Sequence, residues 1–268
     1  VSLVGISQIN IELSSRCDKH TLCFMCGHQN EKLNASLKYG DMDFALLQRI
    51  RAQIEPPVIV SFHRDGDPLV YPRLAAALAL FRDFPTSVVT HGEALARRAA
   101  EIIGNCTIVT VSVIPNDEDR DIQLASVAQF LRLKGEAPPR VQLKFVGAVK
   151  DSERYEALGV PIINRALHSA KGNWNYVRMK PSVPEIGTCL DFLSRPTVDW
   201  RGRMFICNRL DVEDAGLLGD LNTHTLEELW NGPERKRMLA AHLAGRREDA
   251  NALCARCESY GIPTPSGY

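Results

Sequence analysis

The first two-thirds of the chain alternates short β-branched or apolar runs with longer amphipathic stretches. A short continuous apolar run fits a strand covered on both faces, and apolar residues at three-to-four spacing fit a helix with one buried face. Six strands are expected: Gln8 to Leu13, Val58 to Phe62, Ser87 to Thr90, Ile108 to Val113, Val141 to Val146 and Val160 to Asn164. Between them, Phe44 to Ile54, Leu74 to Phe84, Leu95 to Ile103 and Ile122 to Leu133 carry helical spacing. Six βα units in about 165 residues make an α/β chain, better fitted by a partial (β/α)6 TIM-like barrel than by a closed barrel of eight.

After Lys171 the alternation stops. A segment rich in Pro, Gly, Trp and Asn leads to an expected hairpin from Pro196 to Cys207 turning at Arg201-Gly202, a helix from Leu226 to about Leu243, and the pair Cys254 and Cys257. The division expected is a barrel over 1–170 and a small appended module, hairpin plus helix, over 171–268.

At 268 residues and 45% hydrophobic, the chain has apolar material for a large core and needs no disulfides to fold. Its 32 Lys plus Arg balance its 32 Asp plus Glu, which gives no indication of a nucleic-acid or anionic-membrane partner. No run reaches the roughly 18 apolar residues of a membrane span, and no signal-peptide pattern opens the chain, so a cytoplasmic location is expected.

Seven of the 8 cysteines fall into two groups, three near the start and four between Cys189 and Cys257. Clustered cysteines in an intracellular protein point to metal before disulfides. Cys17, Cys23 and Cys26 form C-x5-C-x2-C just after the first strand. Three thiolates on a 4Fe-4S cubane leave one iron open for a small-molecule ligand, whereas a structural zinc needs a fourth ligand, for which His20 or His28 is at hand. Cys189, Cys207, Cys254 and Cys257 supply four thiolates, enough for a closed 4Fe-4S cluster or a zinc ion. Cys106 stands apart and reads as a small buried hydrophobe.

In such barrels chemistry sits on loops after strand C-termini. Strand two runs into Arg64-Asp65-Gly66-Asp67-Pro68, strand three into Thr90-His91-Gly92, strand four ends on Ser112, and Lys144 lies within strand five. Taken alone the second-strand turn is also ordinary surface-turn chemistry. Together with the cysteine triad and the aromatic Phe24 inside its tight pair, these loops resemble the radical S-adenosylmethionine (SAM) superfamily. The C-terminal run from Cys189 through Trp200, Cys207, Gly216 to Leu221 and Thr225 to Trp230, ending in Cys254-x2-Cys257, resembles the SPASM/twitch extension of that superfamily. Four cysteines suit the shorter twitch form with one cluster. Within that branch, chain length and the C-x17-C layout look most like dehydrogenases that oxidise an aminocyclitol alcohol. The cysteine triad departs from the family in its x5 spacing, and the second-strand turn in Asp67 for Glu and in Arg64 for the first Gly.

The resemblance implies a SAM-binding 4Fe-4S cluster on Cys17, Cys23 and Cys26, and an auxiliary 4Fe-4S cluster on Cys189, Cys207, Cys254 and Cys257. It further implies SAM contacts from Phe24, Gly66, Asp67, Pro68, Thr90 and Ser112, and an electron donor such as flavodoxin or ferredoxin. The activity implied is reductive cleavage of SAM and hydrogen abstraction, for oxidation of a small molecule; peptide cross-linking or epimerisation is the alternative within the family. A non-catalytic zinc- or cluster-binding interaction protein is the alternative from another class. No catalytic base is identified, though Arg165, His168 and Arg203 fall near the junction of barrel and module.

Overall fold

A computed structural model describes residues 5–19, 38–115, 117–165, 189–209, 211 and 213–257. The strands are β1 (Gln8–Ile11), β2 (Ile59–Phe62), β3 (Thr86–Thr90), β4 (Ile108–Val113), β5 (Arg140–Val146), β6 (Ile162–Arg165), β7 (Thr197–Val198), β8 (Arg203–Phe205) and β9 (Leu217–Asp220). Among the described residues they form one sheet in the order β6-β5-β4-β3-β2-β1-β7-β8-β9. Neighbours from β6 to β1 pair in parallel, as right-handed βα crossovers require. Among the described residues the sheet does not close, in keeping with a partial barrel.

Each strand splits its residues between two environments, because successive side chains point to opposite faces. On β4 and β5, Val109, Val111, Val113, Leu143 and Phe145 join the main apolar cluster under the helices, with Val127 and Phe130 of the helix Arg120–Lys134. The intervening residues, Thr110, Ser112, Gln142 and Lys144, therefore face the lumen. The same phase puts Asn10, Glu12, Ser61 and His63 on the lumen side of β1 and β2, since Ile9, Ile11, Val60 and Phe62 belong to the cluster. Barrel interiors are ordinarily filled with branched aliphatic residues. This one is polar, as a chamber for a polar ligand needs to be.

The hairpin β7–β8 turns at Arg201-Gly202 as expected, and β7 lies parallel against β1, with Asn10 opposite Thr197. The appended module thus continues the barrel's own sheet. Two expectations are corrected. The single helix Leu226 to Leu243 is two, Leu226–Trp230 and Pro233–Leu243, because Pro233 has no N–H to continue the first and the extended Gly232 before it caps the second. The helix expected over Leu95 to Ile103 is reduced to Ala99–Ile102, while Arg98 turns its guanidinium to the carbonyls of Leu69 and Tyr71, both at 2.9 Å. The strand β9 and the short helix Leu190–Ser194 were not anticipated. No helix of the described residues is long and apolar enough to cross a membrane.

Candidate functional site

The loops after β1, β2 and β3 interlock. Gly66 is obligatory there, because a Cβ would stand 2.6 Å from the Ser15 Cα and closer still to the Ser14 carbonyl. Asp67 N donates to the Arg16 carbonyl at 2.8 Å, one residue before Cys17. The Asp67 carboxylate is buried and fully engaged: Oδ1 caps the turn Pro68–Val70 by accepting from Leu69 N at 2.9 Å, and Oδ2 accepts from the Thr90 hydroxyl at 2.6 Å and from His91 N at 2.9 Å. Oδ2 also lies 2.5 Å from His91 Nδ1. That nitrogen is 3.8 Å from the Cys17 sulfur. Burial works against charge on His91, but Asp67 and then Cys17 outweigh it and raise the imidazole to about 11. Asp67 thus positions His91 and Thr90 and braces the second-strand turn. Pro68 is buried at the start of that turn.

Lys19, two residues beyond Cys17, ties this loop to those after β3 and β4. Its ammonium reaches Asp117 at 2.6 Å, Asp119 at 2.8 Å and Glu93 at 3.2 Å, all four side chains being nearly inaccessible. Burial alone would lower its pKa, and Asp117 and Asp119 reverse the sign. On the other side, Gln123 in the helix Arg120–Lys134 donates to the Ser112 carbonyl at 3.0 Å and to the His91 carbonyl, which fixes β4's end against the third loop. Cys23, Cys26 and Phe24 lie outside the described residues.

Within the lumen, Ser112 and Lys144 are register partners on β4 and β5. Burial, then Arg165, lowers the Lys144 ammonium to about 8, and no hydrogen bond or ion pair engages it among the described residues. His63 at the mouth is brought down to about 3 by burial and then by Lys144, with Arg209 adding to the effect. Glu12 is pushed up to about 7 by burial and the nearby Asp65. It accepts from Asp65 N at 3.1 Å and, through its other oxygen, from Trp200 N at 3.3 Å. Trp200 at the hairpin turn also donates from its indole to the Lys38 carbonyl at 3.2 Å, so the appended module sits directly on the first loop.

Arg64, in the position that departs from the family pattern, makes the second link between barrel and module. Its guanidinium lies 4.1 Å over the Phe205 ring and 3.7 Å from the Asp199 carboxylate. Arg203 pairs with the same Asp199 at 2.8 Å and with Asp214 at 2.5 Å, a structural ion-pair role. Arg165 ends β6 and is exposed, and His168 lies outside the described residues. Cys106 is buried and its thiol raised to about 11 by that burial, consistent with packing.

Beyond Phe205, the four C-terminal cysteines converge. Cys189, Cys207, Cys254 and Cys257 line one cavity of about 360 Å³ including some open solvent, together with Asp191, Phe192, Ile206, Arg209 and Leu253. Cys189 precedes the helix Leu190–Ser194, Cys207 follows β8, and Cys254 is placed by Asn251, whose side chain accepts from Cys254 N at 2.8 Å. Burial pushes Cys254 up to about 12 and Cys207 well above the usual thiol range. Buried thiols this reluctant to ionise are stable as thiolates only when a metal compensates their charge. Four thiols around one cavity fit a 4Fe-4S cubane.

Sequence reasoning missed His63, Glu12, Lys19 and Arg209. Polar residues at every second position of β1 and β2 were the available signal for the first two.

This architecture is a partial (β/α) barrel whose sheet extends into a cysteine-lined module, and residues 189–258 of it match the model of the SPASM family, an iron-sulfur cluster-binding domain. The resemblance to the SPASM/twitch branch of the radical SAM superfamily is supported in that module and in the fold. The chain is similar to BtrN solved in complex with AdoMet and 2-DOIA, with a TM-score of 0.61 at 16% identity over 98% of this chain and 97% of that one. It is also similar to Streptococcus suis SuiB bound to the precursor peptide SuiA, with a TM-score of 0.64 at 12% identity over 96% of this chain and 72% of that one. BtrN in an open conformation gives a TM-score of 0.53 at 17% identity. No curated protein matches the sequence.

Proposed function

We propose that this chain is a radical SAM enzyme that oxidises a small polar molecule. The observation that carries the reading is the seating of the SPASM hairpin on the first loop: Glu12, just after β1, binds both the second-strand turn and Trp200, which ties the cysteine-lined module to the loop that carries Cys17. Cys17, Cys23 and Cys26 would hold the SAM-binding 4Fe-4S cluster, and Cys189, Cys207, Cys254 and Cys257 the auxiliary one. A reduced cluster with SAM bound supplies methionine and a 5'-deoxyadenosyl radical, which removes a hydrogen atom from substrate.

The chain's own residues orient and enclose. The backbone of the turn at Gly66 and Pro68 receives the ammonium of SAM, with Asp67 holding that turn through Thr90 and His91. Ser112 faces the ribose of SAM, and the Lys144 ammonium beside it, without a protein partner among the described residues, suits an anionic group of the bound ligands. Phe24, between Cys23 and Cys26 in the sequence, is the aromatic proposed to contact SAM. Asn10, His63, Thr110 and Gln142 line a lumen suited to hydroxyl or amine groups, which supports a small polar substrate; the BtrN complex with 2-DOIA points the same way. Peptide modification is the second reading, favoured by the likeness to SuiB bound to its precursor peptide.

The test is anaerobic reconstitution with iron and sulfide, reduction with SAM present, and mass analysis of products against small alcohols, amines and peptides. 5'-Deoxyadenosine together with substrate loss of two hydrogens supports the proposal. Deoxyadenosine with a cross-linked or epimerised peptide favours the second reading, and a colourless zinc protein refutes both.

A further inference from the structure

The wall of the auxiliary cavity contains one basic side chain, Arg209, and one acidic one, Asp191, among its described lining residues. Their charged groups are 3.9 Å apart and about a quarter exposed, and Asp191 also pairs with Arg195 at 3.4 Å. Arg209 follows Cys207 by two residues, and its charge is felt on one side at the Cys207 sulfur and on the other at His63 in the barrel mouth. Arg247 is the other cation nearby, but its guanidinium is bound to the Cys257 carbonyl at 2.6 Å, outside the lining set.

A cubane held by four thiolates is anionic, and reduction adds a further negative charge inside a wall that is otherwise cysteine and apolar. Net charge around such a cluster is one of the determinants of its potential. A guanidinium in that wall makes reduction easier, and a carboxylate beside it makes reduction harder. We propose that Arg209 and Asp191 set the reduction potential of the auxiliary cluster in opposite directions, Arg209 making it an acceptor for the electron released by the substrate. This rests on the two-cluster reading above. In the corresponding oxidation of an alcohol, a carbon-bound hydrogen atom goes to the 5'-deoxyadenosyl radical, the remaining electron to the auxiliary cluster and the hydroxyl proton to water or a base, leaving a ketone.

The experiment is a redox titration followed by electron paramagnetic resonance on the reconstituted full chain, with iron counted first. Arg209→Gln is expected to lower the potential of the auxiliary cluster and Asp191→Asn to raise it. Arg209→Lys should stay close to wild type and the double variant should return toward it, with the potential of the other cluster serving as internal reference. Where Arg209→Gln does not assemble its cluster, Asp191→Asn decides the matter by the sign of its shift. Two intact clusters, about eight irons per chain, with no shift or with both variants moving the same way, overturn the inference and leave the function standing. A wild-type chain with only about four irons overturns the two-cluster reading, and the inference with it.

Discussion

The Asp67 carboxylate and the His91 imidazole form one buried unit, with Oδ2 2.5 Å from Nδ1 and 2.9 Å from the His91 backbone nitrogen. A carboxylate committed to four donors is an internal brace for the loops around Cys17. Asp67→Ala would leave a buried imidazolium and three orphaned donors, a loss on the order of 3–5 kcal/mol. Chemical denaturation of the metal-free protein checks this. Unchanged stability with weakened SAM binding would instead assign Asp67 to the ligand.

Gly66→Ala forces a methyl group against Ser14 and Ser15 of the first loop. Overpacking against backbone costs about 1–3 kcal/mol or moves the loop. The expected outcome is a lower melting temperature together with poorer iron retention on the first cysteine motif, measured by iron assay after reconstitution.

Lys144→Met is expected to stabilise the metal-free protein at pH 7. The folded-state pKa of Lys144 is lowered to about 8 from an ordinary 10.5, so the folded chain binds this proton less firmly than the unfolded chain. Stability held back by Lys144 is recovered as pH rises through 8 toward 10.5, and the advantage of the variant should shrink over that window. At pH 7 it is at most about 3 kcal/mol. Melting curves of both proteins from pH 7 to 10 test the sign, and equilibrium binding should show weaker SAM affinity in the variant.

The six barrel strands were legible because each is a short apolar run with a clear start, and β4 begins and ends where the sequence places it. The module was harder to read. Pro233 breaks what helical spacing alone joins, and β9 is short and contains Gly219, so its strand character comes from pairing with β8. For the candidate site, the cysteines and the second-strand turn were visible as local motifs. Glu12, His63 and Lys19 act through partners far away in the chain, such as Trp200 and Asp117, and single-sequence patterns do not reveal such partners.

Removing Cys254 and Cys257 together should halve the iron content and spare SAM cleavage more than product formation. Cys254 is buried in the small apolar cluster around Phe192 and Met238, so the change stays within the module. Iron assay and deoxyadenosine yield separate the two effects, and equal loss of cleavage and product would argue against a separate role for the second cluster.

The central claim concerns the cysteine loop after β1, and deoxyadenosine formation by the anaerobically reconstituted, reduced protein tests it most directly. The wild-type chain should release 5'-deoxyadenosine from SAM, and Cys17→Ala should release none while keeping the auxiliary cluster. Deoxyadenosine from the Cys17→Ala protein at the wild-type rate, or none from either, would contradict it.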